Sequence, residues 1–94
     1  VPTDFSVLSA YPNPFNPVTS IGYEIPEESM VKIIIYDLRG QEVATLVNEL
    51  TVAGRYAINW NAHDVASGIY FVNFTASRDG LAPVTKMQKL MLVK

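Results

Sequence analysis

Residues 20–25 read SIGYEI, and Ile21, Tyr23 and Ile25 alternate there with Ser20, Gly22 and Glu24. A period of two puts the large apolar side chains on one face of an extended chain and the small or polar ones on the other. That pattern describes a half-buried antiparallel strand. The same period returns downstream. MVKIIIYDL places Val31, Ile33 and Ile35 on one side. RYAINWN sets Tyr56, Ile58 and Trp60 against Arg55, Ala57, Asn59 and Asn61. GIYFVNFTA sets Tyr70, Val72 and Phe74 against Phe71, Asn73 and Thr75. TKMQKLMLVK ends the chain with Leu90 and Leu92 inward. Only EVATLV is ambiguous between a strand and a short helical turn.

The punctuation agrees with this period. Gly40, Gly54, Gly68 and Gly80 recur at intervals of 12 to 14 residues and mark turns. DLRGQE fits a short hairpin with Gly40 at positive φ, and Asp79-Gly80 is a second hairpin signal. Short alternating strands with regular turns predict an all-β fold, an antiparallel immunoglobulin-like β-sandwich of about seven strands. There is no cysteine pair, so this likeness is to the architecture alone.

Ninety-four residues make one domain. Folding a chain of this size hides roughly 64% of its unfolded surface, a modest core that needs no staples. Apolar residues at 49% and charged residues at 17% argue against disorder. The absence of cysteine excludes disulfides and thiolate metal sites. A net charge of −2 supplies no field for nucleic acid. The isolated domain is expected to be monomeric. The charge is unevenly spread, because all nine acids precede residue 81 and Lys86, Lys89 and Lys94 follow it. No stretch approaches the ~18 apolar residues of a membrane span. The start, VPTDFSVLSA, lacks the basic region and apolar centre of a signal peptide. The chain therefore reads as a piece of something larger. Residues 1–6 are expected to be a linker from upstream cargo and residues 7–94 the domain itself.

Catalytic candidates are few. HDVAS holds His63, Asp64 and Ser67, the residue types of a nucleophilic triad. Neighbours in extended chain point to opposite sides, whereas a triad converges from separate elements. Asp64 and Ser67 are better read as capping a turn before Gly68. Glu27 and Glu28 fall in a loop after Pro26 and read as solvated charges. With one histidine and no D-x-D-x-D spacing, no metal or other cofactor is expected. Tyr36, Phe71 and Trp60 could build a sugar-binding platform, although core packing accounts for them better. Asn73 heads an NFT glycosylation pattern, a weak signal in isolation.

YPNPFNP, residues 11–17, is more distinctive. Each proline fixes φ and biases the preceding residue toward extended geometry. Pro12, Asn13, Pro14, Phe15, Asn16 and Pro17 are expected to form a rigid cap with Phe15 pressed onto the end of the sandwich. Such a cap also blunts a sheet edge, since proline donates nothing to a new ladder.

YPNPFNPVTSIGYEIPEESMVKIIIYDLRGQEVATLVNEL closely resembles the start of the type A C-terminal sorting domain of the bacterial type IX secretion system. The resemblance continues through AGRYAINWNAHDVASGIYFVNF to TKMQKLMLVK and covers about residues 7–94. The C-terminal sandwich of the flagellar hook-capping protein shares much of the pattern. The chain departs from its relatives in the apolar run Leu81 to Val84 and in Val18. The resemblance implies a non-catalytic signal that directs attached cargo through the periplasm and across the outer membrane, to be secreted or held at the cell surface. It implies the translocon, shuttle and sortase components as partners. The recognised element is expected in the last strand, at Lys86, Lys89, Leu90, Met91, Leu92, Val93 and Lys94. The competing reading is a structural or carbohydrate-binding, fibronectin-like accessory module of a secreted hydrolase.

Overall fold

In the computed structural model, residues 8–78, 80 and 82–94 are described. The expected linker, residues 1–6, and the Asp79 and Leu81 positions of the expected hairpin and apolar run lie outside them. The described residues form strands β1 (Leu8–Tyr11), β2 (Val18–Ile25), β3 (Ser29–Asp37), β4 (Glu42–Thr51), β5 (Gly54–Asn61), β6 (Gly68–Ser77) and β7 (Val84–Leu92). Two antiparallel sheets result, ordered β1-β2-β5 and β4-β3-β6-β7. They pack as a sandwich.

Alternation places the core. Ile21, Tyr23 and Ile25 of β2 are buried, as are Val31, Ile33 and Ile35 of β3. Tyr70, Val72 and Phe74 of β6 face the same interior, joined by Leu90 and Leu92 of β7. Rings bridge the two sheets. Trp60 of β5 meets Tyr70 of β6 edge-on at 5.5 Å, and Tyr23 of β2 lies 5.8 Å from Phe74 of β6. Such tilted contacts add to burial because ring edges and faces carry opposite partial charge.

EVATLV lies in β4, and its ambiguity has a physical cause. The β3–β4 register shifts between Ile33 and Ile34 and again between Ile35 and Tyr36. Val43 and Leu46 are the extra residues, opposed by none on β3. Each insertion moves the next side chain to the other face, so strict alternation fails. Val43, Ala44 and Leu46 all pack partly against the core in consequence.

The turns follow local chemistry. The Asp37 carboxylate accepts the N–H groups of Arg39 and Gln41 at 2.8 and 3.0 Å. Gly40 donates its N–H to Asp37 O at 3.0 Å and sits at φ 81°, a left-handed conformation that L side chains rarely adopt. The buried hydroxyls of Thr19, Ser29 and Thr51 all donate to backbone carbonyls. Among the described residues no buried side-chain polar atom lacks a partner.

One further strand, β1, precedes the proline run and pairs with β2 from Leu8↔Tyr23 to Tyr11↔Ser20. Four residues with an exposed Tyr11 carry too little alternation to announce a strand. Phe15 follows it, 2% exposed, with its ring 5.6 Å from Trp60.

Two outcomes follow from this packing. Phe15→Ala should cost about 3–5 kcal/mol, as for other fully buried phenylalanines, read by chemical denaturation. An unchanged midpoint would show that the ring contributes nothing. Burial pushes the Tyr23 hydroxyl above its ordinary pKa of 10.0, with smaller contributions from Glu49 and Tyr56. The unfolded chain then ionises first, so this contribution is intact below pH 10 and is lost as pH rises through the folded pKa. Tyr23→Phe should flatten that alkaline decline in a pH series of melting curves.

Candidate functional site

The chemistry-bearing residues gather along the free edge of β7. Strand β7 ends the four-stranded sheet, with β6 on one side. On its other side lies the proline segment. Phe15 and Leu92 form an isolated parallel bridge. The Phe15 N–H donates to Met91 O at 2.9 Å, and the Val93 N–H donates to Phe15 O at 3.0 Å. Asn13 continues the ladder with its side chain. Its Nδ2 donates to Lys89 O at 2.9 Å, and its Oδ1 accepts the Met91 N–H at 3.0 Å. A primary amide has the donor and acceptor of a peptide group, so Asn13 acts as one more ladder residue.

The segment is fastened on its other flank as well. Pro12 O accepts the Thr19 hydroxyl at 2.8 Å, and Pro17 O accepts the Ala62 N–H at 2.8 Å. Pro12, Pro14 and Asn16 are exposed, and Pro17 is half-buried. The edge is thus covered by the amide of Asn13 and the main chain of Phe15, while the prolines hold both in place. The long-range role of Asn13 has no signature in the sequence.

The basic strand is divided by face. Leu90 and Leu92 are 0% and 1% exposed and belong to the core. Lys89 and Val93 are exposed and Met91 half-buried on the opposite face. Lys86 shares the parity of Leu90 and is half-buried, so it and Lys89 project from opposite faces. Lys94 turns onto the loop after β5. Its N–H donates to Ser67 Oγ at 3.1 Å and its Nζ donates to His63 O at 2.8 Å.

That loop corrects the reading of HDVAS. The chain bends after Asn61, so His63 and Asp64 are not splayed apart; His63 Nδ1 lies 3.1 Å from Asp64 Oδ1. Both side chains are solvated, at 80% and 97% exposed. The Ser67 hydroxyl engages Lys94 instead of the imidazole. The turn is capped by Asn61, whose Oδ1 accepts the His63 N–H at 3.0 Å, and not by Asp64 or Ser67. The Tyr70 hydroxyl closes it further by donating to Ala66 O at 2.5 Å.

The remaining candidates disperse. Glu27 is bound to Arg78 at 2.8 Å, and Glu28 lines a groove of about 520 Å³ with Ser29, Met30, Leu50, Ser77 and Arg78. Among the described residues no three His, Asp or Glu side chains cluster as a metal site would require. Trp60 is 5% exposed in the core, whereas Tyr36 and Phe71 face outward and pair across β3 and β6. Core packing therefore accounts for Trp60 alone of the three. Asn73 takes up a local bond from the Thr75 hydroxyl at 3.3 Å. Gly40, Gly54, Gly68 and Gly80 all have positive φ, and Gly54 and Gly68 open strands β5 and β6.

A family model described as a secretion system C-terminal sorting domain matches residues 9–89. Neither the curated proteins nor the solved structures contain a match to the chain.

Asn13→Ala should remove two hydrogen bonds and cost about 1–2 kcal/mol, with faster amide exchange at Met91. Asn13→Asp keeps the acceptor for Met91 but sets a carboxylate against Lys89 O, and should destabilise at least as much. Unchanged exchange at Met91 in both variants would remove Asn13 from the ladder.

Proposed function

The chain belongs to the secretion system C-terminal sorting domain family, and from that membership we propose that it directs attached cargo across the bacterial outer membrane without performing a reaction itself. The family is a signal for type IX secretion, and proteins bearing it are exported to the cell surface or secreted. The observation that carries the proposal is the match over residues 9–89. The machinery recognises the family as a signal at the C-terminus of cargo.

Within the proposal, residues 1–6 join the domain to its cargo, and translocon, shuttle and sortase components are its partners. The last strand is the element that is read. The family match stops at Lys89, so residues 90–94 enter the proposal on the resemblance of TKMQKLMLVK to the family's last strand. Lys86 and Lys89 are the charges available to a partner. Lys94 has a partner within the fold already. Leu90 and Leu92 act indirectly, by holding the strand in the sheet.

Fusing residues 1–94 to a periplasmic reporter in a type IX-competent host should carry the reporter to the surface or medium. Retention of a folded fusion in the periplasm would refute the proposal. Two variants then separate reading of residues from reading of the fold. Lys86→Glu with Lys89→Glu exchanges charge without removing apolar core volume and should leave the chain folded, the exposed Lys89 change costing under ~0.5 kcal/mol. Leu90→Ala should loosen the core by about 2–5 kcal/mol. Export lost in the folded charge-reversed fusion places recognition at the lysines. Export kept there but lost in Leu90→Ala assigns recognition to the folded domain as a whole.

A further inference from the structure

The edge of β7 is sealed over only half its length. Lys89 O, both main-chain groups of Met91 and the Val93 N–H are taken by Asn13 and Phe15. Because Met91 turns its N–H and C=O away from β6, alternation turns those of Thr85 and Met87 the same way. Among the described residues, none of these four groups has a hydrogen-bond partner. Strand β1 runs alongside β7, but its ladder is with β2 in the other sheet.

The surroundings of this open length are basic and partly apolar. Met87 is 60% exposed, and Lys86 and Lys89 flank it. No acidic residue occurs after residue 80. Lysines on an edge deter pairing with another basic edge, so a second copy of this chain, bringing its own Lys86 and Lys89, is disfavoured. The same charges favour a strand carrying acids. Asn13 stops any added strand at Lys89, and Pro83 offers no N–H at the other end. The open length is therefore about five residues, or ~17 Å.

We propose that the Thr85–Lys89 edge of β7 is a docking site for one short, extended, acidic strand of a partner protein, added to the sheet through main-chain hydrogen bonds. Main-chain pairing supplies the attachment and the two lysines supply the selectivity. The inference goes beyond the export reading, since it requires only the folded edge.

The test uses the whole 94-residue chain and amide exchange followed by NMR. The probe is a capped seven-residue peptide, Val-Glu-Val-Thr-Glu-Val-Thr, whose glutamates stand three residues apart and so project from opposite faces as Lys86 and Lys89 do; the control has lysine in place of both glutamates. The glutamate peptide should slow exchange at Thr85 and Met87, and bind roughly tenfold tighter than the lysine peptide. Met87→Pro removes an outward donor without touching the β6 ladder, and should abolish binding in a chain that still folds. Lys86→Glu with Lys89→Glu should reverse the preference between peptides. Equal binding of both peptides, or protection mapping away from β7, overturns the proposal. So does protection of Thr85 and Met87 before peptide is added: concentration-dependent protection means that a second copy covers the edge, and concentration-independent protection means that residues 1–7 do.

Discussion

Phe15 joins the two sheets. Its ring lies against Trp60 of the three-stranded sheet, and its main chain is bonded in both directions to β7 of the four-stranded sheet. Sheets packed face to face hold each other through side-chain burial, which is strong but not directional. The bonds from Phe15 and Asn13 to β7 add direction. They set where the chain must pass after β1, and Thr19 and Ala62 fix the same segment to the start of β2 and the end of β5. Sheet registry and the path into β2 thus depend on one clasp.

The clasp also determines what β7 offers outward. A terminal strand of a sheet exposes a row of donors and acceptors, and proteins commonly cover or charge such a row. Both devices occur here, on different halves of one strand. The length from Lys89 onward is covered by Asn13 and Phe15, and the length before it carries Lys86 and an uncovered backbone. Packing and presentation therefore divide along the strand as well as between its faces. Leu90 and Leu92 keep the strand in place, while the lysines leave it charged.

Legibility in the sequence tracked the range of the interaction. The core positions Ile21, Ile33, Val72 and Leu90 were readable because pleating is local: neighbouring residues alternate whatever they pack against. The Asp37–Gly40 turn was readable for the same reason, since its bonds span at most four residues. β4 was not, because the bulges at Val43 and Leu46 are set by the partner strand and erase the period. β1 was not, because four residues, LSAY, are too few to show a period.

The site divides in the same way. The crowding of basic charge after residue 80 and the proline run are visible in the sequence. The partner of Asn13 lies 76 to 78 residues away, and that of Lys94 lies 27 to 31 residues away. Contacts at such separations impose no spacing on the chain and leave no motif. The sequence by itself determined the strand period, the turn positions and the uneven charge, because each depends on neighbours along the backbone. Only the tertiary structure decided which edge the proline segment closes and how much of β7 stays open, because those depend on hydrogen bonds that form only once the sheets have met.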